Sequence, residues 1–366
     1  MKFECTTDQL GSAVGIAVRF IERRVNLPVL SSVLITAEKS GRVTLRATNL
    51  ECGVEVTIQA KVATEGVAAV PGSTLSGVVG NIRGKSVSVS LVGEVCKVEA
   101  EHMSASLKTV PHEDFPILPH VSASSSFSIK ASDLNRAIKN VAYCASTSAI
   151  KPELQSVVLY AESGKLITAA TDSFRLAEKI VSLKGGGSVP QLLIPIRNAT
   201  ELMRLLEGSN EEVEIYYNEH QISLHIKDIY YTSRLIEGAF PNYRQIVPKS
   251  FTTEAIALRE DISQALKSLS VFADKFAQVS FAIEPEKKAI MLSSRNPDVG
   301  EEISTVRSTI SGDAVSMNFN GRYLSDSLQG ISGESVRIHS NGPGKALLIR
   351  DAGDDSFFYL AMPMNR

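Results

Sequence analysis

Cysteine is scarce and scattered. The four in 366 residues, Cys5, Cys52, Cys96 and Cys144, form no close pair. That argues against a zinc site or redox pair and for buried, reduced thiols in a cytosolic protein. No apolar run approaches the ~18–20 residues that span a bilayer, and Met1-Lys2-Phe3-Glu4 lacks the apolar core of a signal peptide. Neither sign of charge dominates: 38 Lys and Arg face 40 Asp and Glu, a net charge of −2. Any binding to DNA must then come from local charge placement, not from global attraction. With 43% apolar and 21% charged residues, the composition excludes a disordered chain and suits two to three globular domains.

Familiar catalytic patterns are missing together. The six His make no H-E-x-x-H, no G-x-G-x-x-G follows a strand, and no G-x-S-x-G marks a nucleophile elbow. Gly344-Lys345 resembles a phosphate loop, but His339 stands where an earlier Gly is needed and Ala346 where Ser or Thr is needed. His112-Glu113-Asp114 reads as a solvated loop, because adjacent ligands rarely converge on one ion. Asp172 near Arg175 is an acid beside an anion clamp, yet no nucleophile or second carboxylate lies nearby in sequence. The expectation is a binding or scaffold protein with no catalytic residue, metal or cofactor; a hydrolase using Asp172 and Arg175 is the minor alternative.

What the sequence has is internal repetition. Phe3–Leu10, Phe127–Leu134 and Ala255–Ile262 are short alternating strands running into amphipathic helices, spaced about a third of the chain apart. Arg42–Asn49, Lys165–Asp172 and Lys288–Arg295 repeat as strands. Val70-Pro71, Ile194-Pro195 and Phe319-Asn320 each lead into a second short helix, and alternating strands begin at Val87, Val213 and Val336. Asp114-Phe115-Pro116 and Ala239-Phe240-Pro241 close the first two units. Each unit reads β-α-β-β-β-α-β-β-β, an α+β domain in three tandem copies, with hairpin turns such as Ala161–Gly164. Boundaries are expected at 1–120, 126–247 and 251–366, where Pro and Ser cluster.

Six helices are predicted at 8–24, 73–83, 132–146, 197–207, 260–273 and 321–329. They carry Arg19, Arg23, Arg24, Arg83, Arg136, Lys139, Arg197, Arg204, Lys267 and Arg322. Several of their acids, Asp8, Asp133, Glu260 and Asp261, sit in caps or first turns, where the helix dipole favours them. The remaining helical faces are therefore expected to be mildly basic, suited to phosphate contact without base reading.

Thr171-Asp172-Ser173-Phe174-Arg175-Leu176-Ala177 resembles the A-T-D-G-H-R-L-A signature of the bacterial DNA sliding clamps, the beta subunits of DNA polymerase III. Gly238-Ala239-Phe240-Pro241-Asn242-Tyr243-Arg244 is similar to their G-R-F-P-D-Y-R segment, and Leu360-Ala361-Met362-Pro363-Met364 to their V-M-P-M tail. Leu27-Pro28-Val29-Leu30 and Asp114-Phe115-Pro116 match two further motifs. The resemblance covers the whole chain.

It implies a head-to-tail homodimer closing a six-domain ring around duplex DNA, with helices inside and sheets outside. Such a cytoplasmic, non-enzymatic processivity factor is opened by a clamp loader and binds DNA without sequence preference. The polymerase III alpha subunit, other polymerases and repair proteins would dock Gln-Leu-x-Leu-Phe-like peptides into an apolar cleft between the second and third domains; no membrane is involved. The matching cleft positions are Leu154, Thr171, Ser173, Phe174, Arg175, Leu176, Pro241, Gln245, Ile246, Leu360, Met362, Pro363 and Met364. The implied DNA contacts are Arg24, Arg197 and Ser148, and the implied dimer contacts are Leu107, Val271, Phe272, Glu301 and Glu302.

The chain departs from the family pattern in three places. Ser173-Phe174 replaces Gly-His, Asn365-Arg366 replaces the Arg-Leu terminus, and Lys151 and Gln245 stand where Arg is common. An altered peptide preference near Phe174 is expected. The alternative function is a clamp-fold peptide-binding hub for repair or tolerance without replicative duty.

Overall fold

The computed structural model describes residues 1–22, 27–121, 125–185 and 187–364. Among them are six α-helices: α1 (Thr7–Ala17), α2 (Gly72–Val79), α3 (Ala131–Ala142), α4 (Ile196–Leu206), α5 (Arg259–Leu269) and α6 (Gly321–Ser327). α1, α3 and α5 each follow directly on a short strand, so the α+β repeat read from the sequence is the architecture observed. The first of these helices starts at a capping box. Gln9 N donates to Thr6 Oγ1 at 3.3 Å while the Gln9 side chain accepts from Thr6 N, satisfying amides the helix itself leaves unpaired.

Two sequence expectations need correction. Each repeat has more strands between its helices than the three expected: the first also has Lys61–Thr64, and Gly66–Pro71, Val189–Pro195 and Val315–Asn320 run without a break into α2, α4 and α6. The dipeptides read as helix lead-ins are the ends of these strands, which pair antiparallel with Ser32–Ala37, Ser156–Glu162 and Gln278–Glu284.

The helices also stop earlier than their apolar spacing suggests. After Ala17 the amides of Arg19 and Phe20 bond carbonyls three residues back. This tight turn delivers Phe20 edge-on to Tyr231, ring centroids 5.9 Å apart. Arg19 and Arg83 therefore follow their helices, and Arg23 and Arg24 lie outside the described residues. On the six helices seven basic residues, Arg136, Lys139, Arg197, Arg204, Arg259, Lys267 and Arg322, meet six acids. Arg136 and Arg204 are paired with Asp133 and Glu201 one turn away. The expected basic helical surplus is correspondingly small.

By packing, the chain forms two compact units, 1–132 with 200–235, and 133–199 with 236–366. The division follows the sheets. In the first unit, Cys52–Gln59 pairs antiparallel with Ile229–Arg234, fusing strands of the first and middle repeats into one eight-stranded sheet. A five-stranded sheet in the same unit ends at the edge strand Met103–Lys108. In the second unit, Arg175–Ser182 pairs with Phe357–Ala361, building a twelve-stranded sheet from the middle and last repeats. Each half of the middle repeat is thus committed to a different neighbour.

Turns supply the geometry the strands require. Ser163 (φ +50°) and Gly164 (φ +74°) join Ser156–Glu162 to Lys165–Thr171, with positive φ at both central residues as a tight right-twisted hairpin demands. The four cysteines are buried, and burial pushes their thiols up, Cys5 and Cys96 to about 11 and Cys52 to about 12.

Gly312 is the most constrained glycine. Its φ is +98°, and an added Cβ would meet Thr252 O at 2.0 Å. Because a backbone oxygen is not free to move aside, Gly312→Ala is expected to cost about 1–3 kcal/mol, seen as a lowered urea midpoint with unchanged slope.

Candidate functional site

The loop from Thr171 to Arg175 is held by its own side chains. Thr171 Oγ1 donates to Arg175 O at 2.6 Å and accepts from Ser173 N at 3.1 Å. Asp172 Oδ1 accepts from Phe174 N and Arg175 N at 2.9 and 3.0 Å. This bonding turns Ser173 to φ +78°, where an L side chain is disfavoured and glycine is not. The Gly of the family pattern and the Ser of this chain thus occupy a left-handed corner. The next residue, Phe174, is aimed outward, with 63% of its surface exposed.

The C-terminal segment is tied to the same loop. Leu176 pairs with Leu360 and Arg175 with Ala361. Met362 N donates to Phe174 O at 2.9 Å and Met364 N to Asn318 O at 2.7 Å. Met362 is exposed, while Pro363 and Met364 are half-buried. Beneath, Leu176 and Leu360 belong to one buried cluster with Phe240 and Tyr243, which anchors the Pro241–Ile246 segment to this floor. From that segment Pro241, Gln245 and Ile246 face solvent, Ile246 at 64%. Leu154 is buried in the short turn Pro152–Gln155. Loop, tail and the Pro241–Ile246 segment thus meet in one buried cluster through Leu176, Leu360 and Tyr243, while Phe174, Ile246 and Met362 are exposed.

Arg175 is engaged with its own chain. Its Nε donates to Asp172 Oδ2 at 3.0 Å, its Nη1 reaches Asp326 of α6, and its guanidinium stacks 4.4 Å from the Tyr323 ring centroid. The side chain is 13% exposed, and it clamps the loop to α6. Asp326 and Tyr323, which hold the loop, and Asn318, which holds the tail, were not singled out as site residues from sequence; the first two stand some 150 residues after Arg175 and Asn318 well before Met364, beyond the reach of local spacing.

Deeper in the cluster, Tyr243 Oη donates to Glu178 Oε2 at 2.5 Å and shares a hydrogen bond with Tyr160 Oη at 2.8 Å. Burial raises the Glu178 carboxyl above its ordinary value, against the Tyr243 hydrogen bond and Arg244, which lower it.

The other expected contacts are dispersed. Arg197 on α4 and Ser148 are exposed; Arg24 lies outside the described residues. Val271 is 66% exposed and Phe272 half-buried. Glu301 faces Arg295 at 3.9 Å, and Glu302 accepts from Ser268 and Ser304 hydroxyls. Leu107 is 6% exposed, its inward position on Met103–Lys108 spending it on its own core. Strand Gly300–Gly312 pairs through residues 300–307 with Ala289–Asn296 and only through 308–312 with Thr253–Leu258. Its first half therefore has one open edge among the described residues, from which Ile303 projects 65% exposed. Among the described residues no group of three or more His, Cys, Asp or Glu could hold a metal ion, and no helix is long and apolar enough to cross a membrane.

Three tandem copies of a two-helix, multi-strand domain, fused through shared sheets, define a clamp architecture. Models described as the N-terminal, central and C-terminal domains of the DNA polymerase III beta subunit match residues 1–119, 128–242 and 244–365. The beta sliding clamp of Synechococcus elongatus is 26% identical across 100% of this chain and 99% of its own, and that of Staphylococcus epidermidis 25% with the same coverage. The crystal structure of the Pseudomonas aeruginosa DNA polymerase III subunit beta superposes with a TM-score of 0.94 at 25% identity, both chains fully covered. A second Pseudomonas aeruginosa structure, bound to griselimycin, gives 0.95. The chain belongs to the DNA polymerase III beta-subunit family, the bacterial beta sliding clamps.

Glu178 makes a pH prediction. Its raised folded value means the stabilising contribution is full below the unfolded carboxyl value of about 4.3 and is lost as pH rises through the folded value. Glu178→Gln, which still accepts from Tyr243, should therefore gain stability over the parent at neutral pH. Thermal melts from pH 4 to 8 should show that gain shrinking toward acid.

Proposed function

We propose that the chain is a non-catalytic processivity clamp, cytoplasmic, working as a homodimer of three-domain subunits (1–120, 126–247, 251–366) closed around duplex DNA. The observation that carries its partner-binding role is the exposed Phe174, Ile246 and Met362 set above the Leu176–Leu360 floor. Apolar walls with an adaptable Met suit Leu and Phe anchors of many linear motifs. The polymerase III alpha subunit, clamp loader, other polymerases and repair proteins would engage here through Gln-Leu-x-Leu-Phe-like segments. DNA attraction through Arg197, Ser148 and Arg24 would be weak and sequence-independent, which suits sliding.

Ring closure would pair the open edge of Gly300–Gly312 in one protomer with the edge strand Met103–Lys108 of the other. Exposed edges are sticky templates, and Val271 and Ile303 add apolar surface. Because Leu107 is already buried, its contribution would be to shape the edge more than to be a contact itself.

A fluorescent Gln-Leu-Ser-Leu-Phe peptide should bind saturably. The Met362→Ala, Leu176→Ala double variant should weaken it by about tenfold or more, since anchor contacts carry most of such affinities. Phe174→His should reorder the preference among several motif peptides; an unchanged ranking refutes a selective role for Phe174. Ile303→Asp should shift the protein from dimer to monomer in sedimentation experiments, and a dimer of parent affinity would exclude this edge.

A further inference from the structure

The Pro241–Ile246 segment is tied to the sheet by polar bonds as well as by apolar packing. Tyr243 Oη donates to Glu178 Oε2 at 2.5 Å. Its one hydroxyl proton is thereby committed, so the 2.8 Å bond between the two tyrosines runs from Tyr160 to Tyr243. Tyr160 and Glu178 stand on Ser156–Glu162 and Arg175–Ser182, the two strands that flank Lys165–Thr171. A single hydroxyl of the segment thus spans three strands. Arg244 brings a cation from the same turn. Its Nε lies 3.8 Å from the same Glu178 oxygen, its Nη1 2.5 Å from Glu162 Oε1, and its guanidinium 5.5 Å from the Tyr160 ring centroid.

Position passes from these bonds to the exposed end of the segment. Tyr243–Gln245 is a single tight turn, and Ile246 N donates to Tyr243 O at 3.0 Å, so Gln245 and Ile246 move with Tyr243. The packing of Tyr243 on Phe240, Leu176 and Leu360 is non-directional, whereas a hydrogen bond to a carboxylate is short and directed. The apolar cluster therefore holds the segment down, and Glu178 decides where on the sheet it sits. Glu178 is 5% exposed. A shift of the segment would take away its hydroxyl donor and its nearest cation together, leaving a buried charge uncompensated. Glu178 lies two residues from Leu176, on the same face of their strand, and pairs with Phe358 as Leu176 pairs with Leu360.

We propose that Glu178 is a positioning residue for peptide recognition: its ionised carboxylate fixes Tyr243 and Arg244, and through them sets Gln245 and Ile246 for a docked peptide. The proposal rests on the reading of the exposed Phe174, Ile246 and Met362 as walls of a peptide cleft. The charged groups facing Glu178 are Arg244 and Arg350, which favour its ionised form, and Glu162, which opposes it; the hydroxyl of Tyr243 also favours ionisation. Protonation removes the attraction for Arg244 and the charge assistance to the Tyr243 bond. The segment then loses its register, and peptide affinity falls with it. Because burial raises the Glu178 carboxyl, this loss sets in above the ordinary carboxyl range of about 4.3.

Calorimetric titration with a Gln-Leu-Ser-Leu-Phe peptide capped at both ends, which carries no titratable group, tests this on the parent and on Glu178→Gln from pH 8 to pH 4. The parent affinity should hold near neutrality and fall by about three- to tenfold on acidification, the difference between a charged and a neutral hydrogen-bond partner. Glu178→Gln should bind at the weaker level at every pH, with no acid step, although it melts higher than the parent at neutral pH. A variant that is more stable and yet binds more weakly does not owe its loss to a damaged fold. Parent affinity that ignores acid overturns the inference, as does Glu178→Gln binding that equals the parent at neutral pH or keeps its acid step. A parent that binds no peptide at any pH refutes the cleft reading itself, and this inference with it, so the two failures are distinguishable.

Discussion

Two antiparallel seams determine what this chain can be. Where Cys52–Gln59 meets Ile229–Arg234, and where Arg175–Ser182 meets Phe357–Ala361, strands from different repeats complete one another's sheets. A repeat of this size buries a core of its own, yet it leaves sheet edges that would pair with any available strand. The seams satisfy those edges in sequence order. At each seam the loop entering one strand lies beside the end of its neighbour. Met362 can be fixed to Phe174 by a single backbone hydrogen bond only because the register of the strands has already brought them together.

Charge at the Thr171–Arg175 loop serves position more than attraction. Asp172 uses one carboxylate oxygen to order the loop amides and the other to hold Arg175, which reaches on to Asp326 and Tyr323. A half-buried cation shared by two carboxylates and an aromatic face is well compensated, and removing one member would leave the others uncompensated. The Asp172–Arg175 pair therefore has a full structural role, which answers the acid-and-clamp arrangement visible in the sequence without invoking chemistry.

Much of the fold was legible because it is written three times. Alternation such as that of Lys165–Thr171, and the Thr6 and Asp8 helix start, are local signals that one chain can show. The segments Thr171–Ala177, Pro241–Arg244 and Leu360–Met364 could be singled out only by resemblance; the structure shows that Leu176, Tyr243 and Leu360, one from each, share a buried cluster. What could not be read locally depended on distance or competition. Asp326 meets Arg175 from across the sequence, and Phe20 leaves its helical spacing because the Tyr231 pocket outweighs another half-turn of helix. Leu107 alternates like an edge residue but points inward. The strands ending at Pro71, Pro195 and Asn320 were hidden because a strand running straight into a helix offers no turn residue between them.

The buried thiols give the seams an observable of their own. With its proton held up to about 12 by burial, Cys52 presents almost no thiolate at neutral pH, and the thiolate is the reacting species. Alkylation must then wait for the strand to part from its neighbour. Under conditions where reaction outpaces reclosure, the labelling rate is the opening rate of that strand pair. Cys52 opens the first seam strand, whereas Cys5 and Cys96 lie on strands of the five-stranded sheet. The chain thus carries built-in clocks for how often its parts come apart, read site by site without adding a probe.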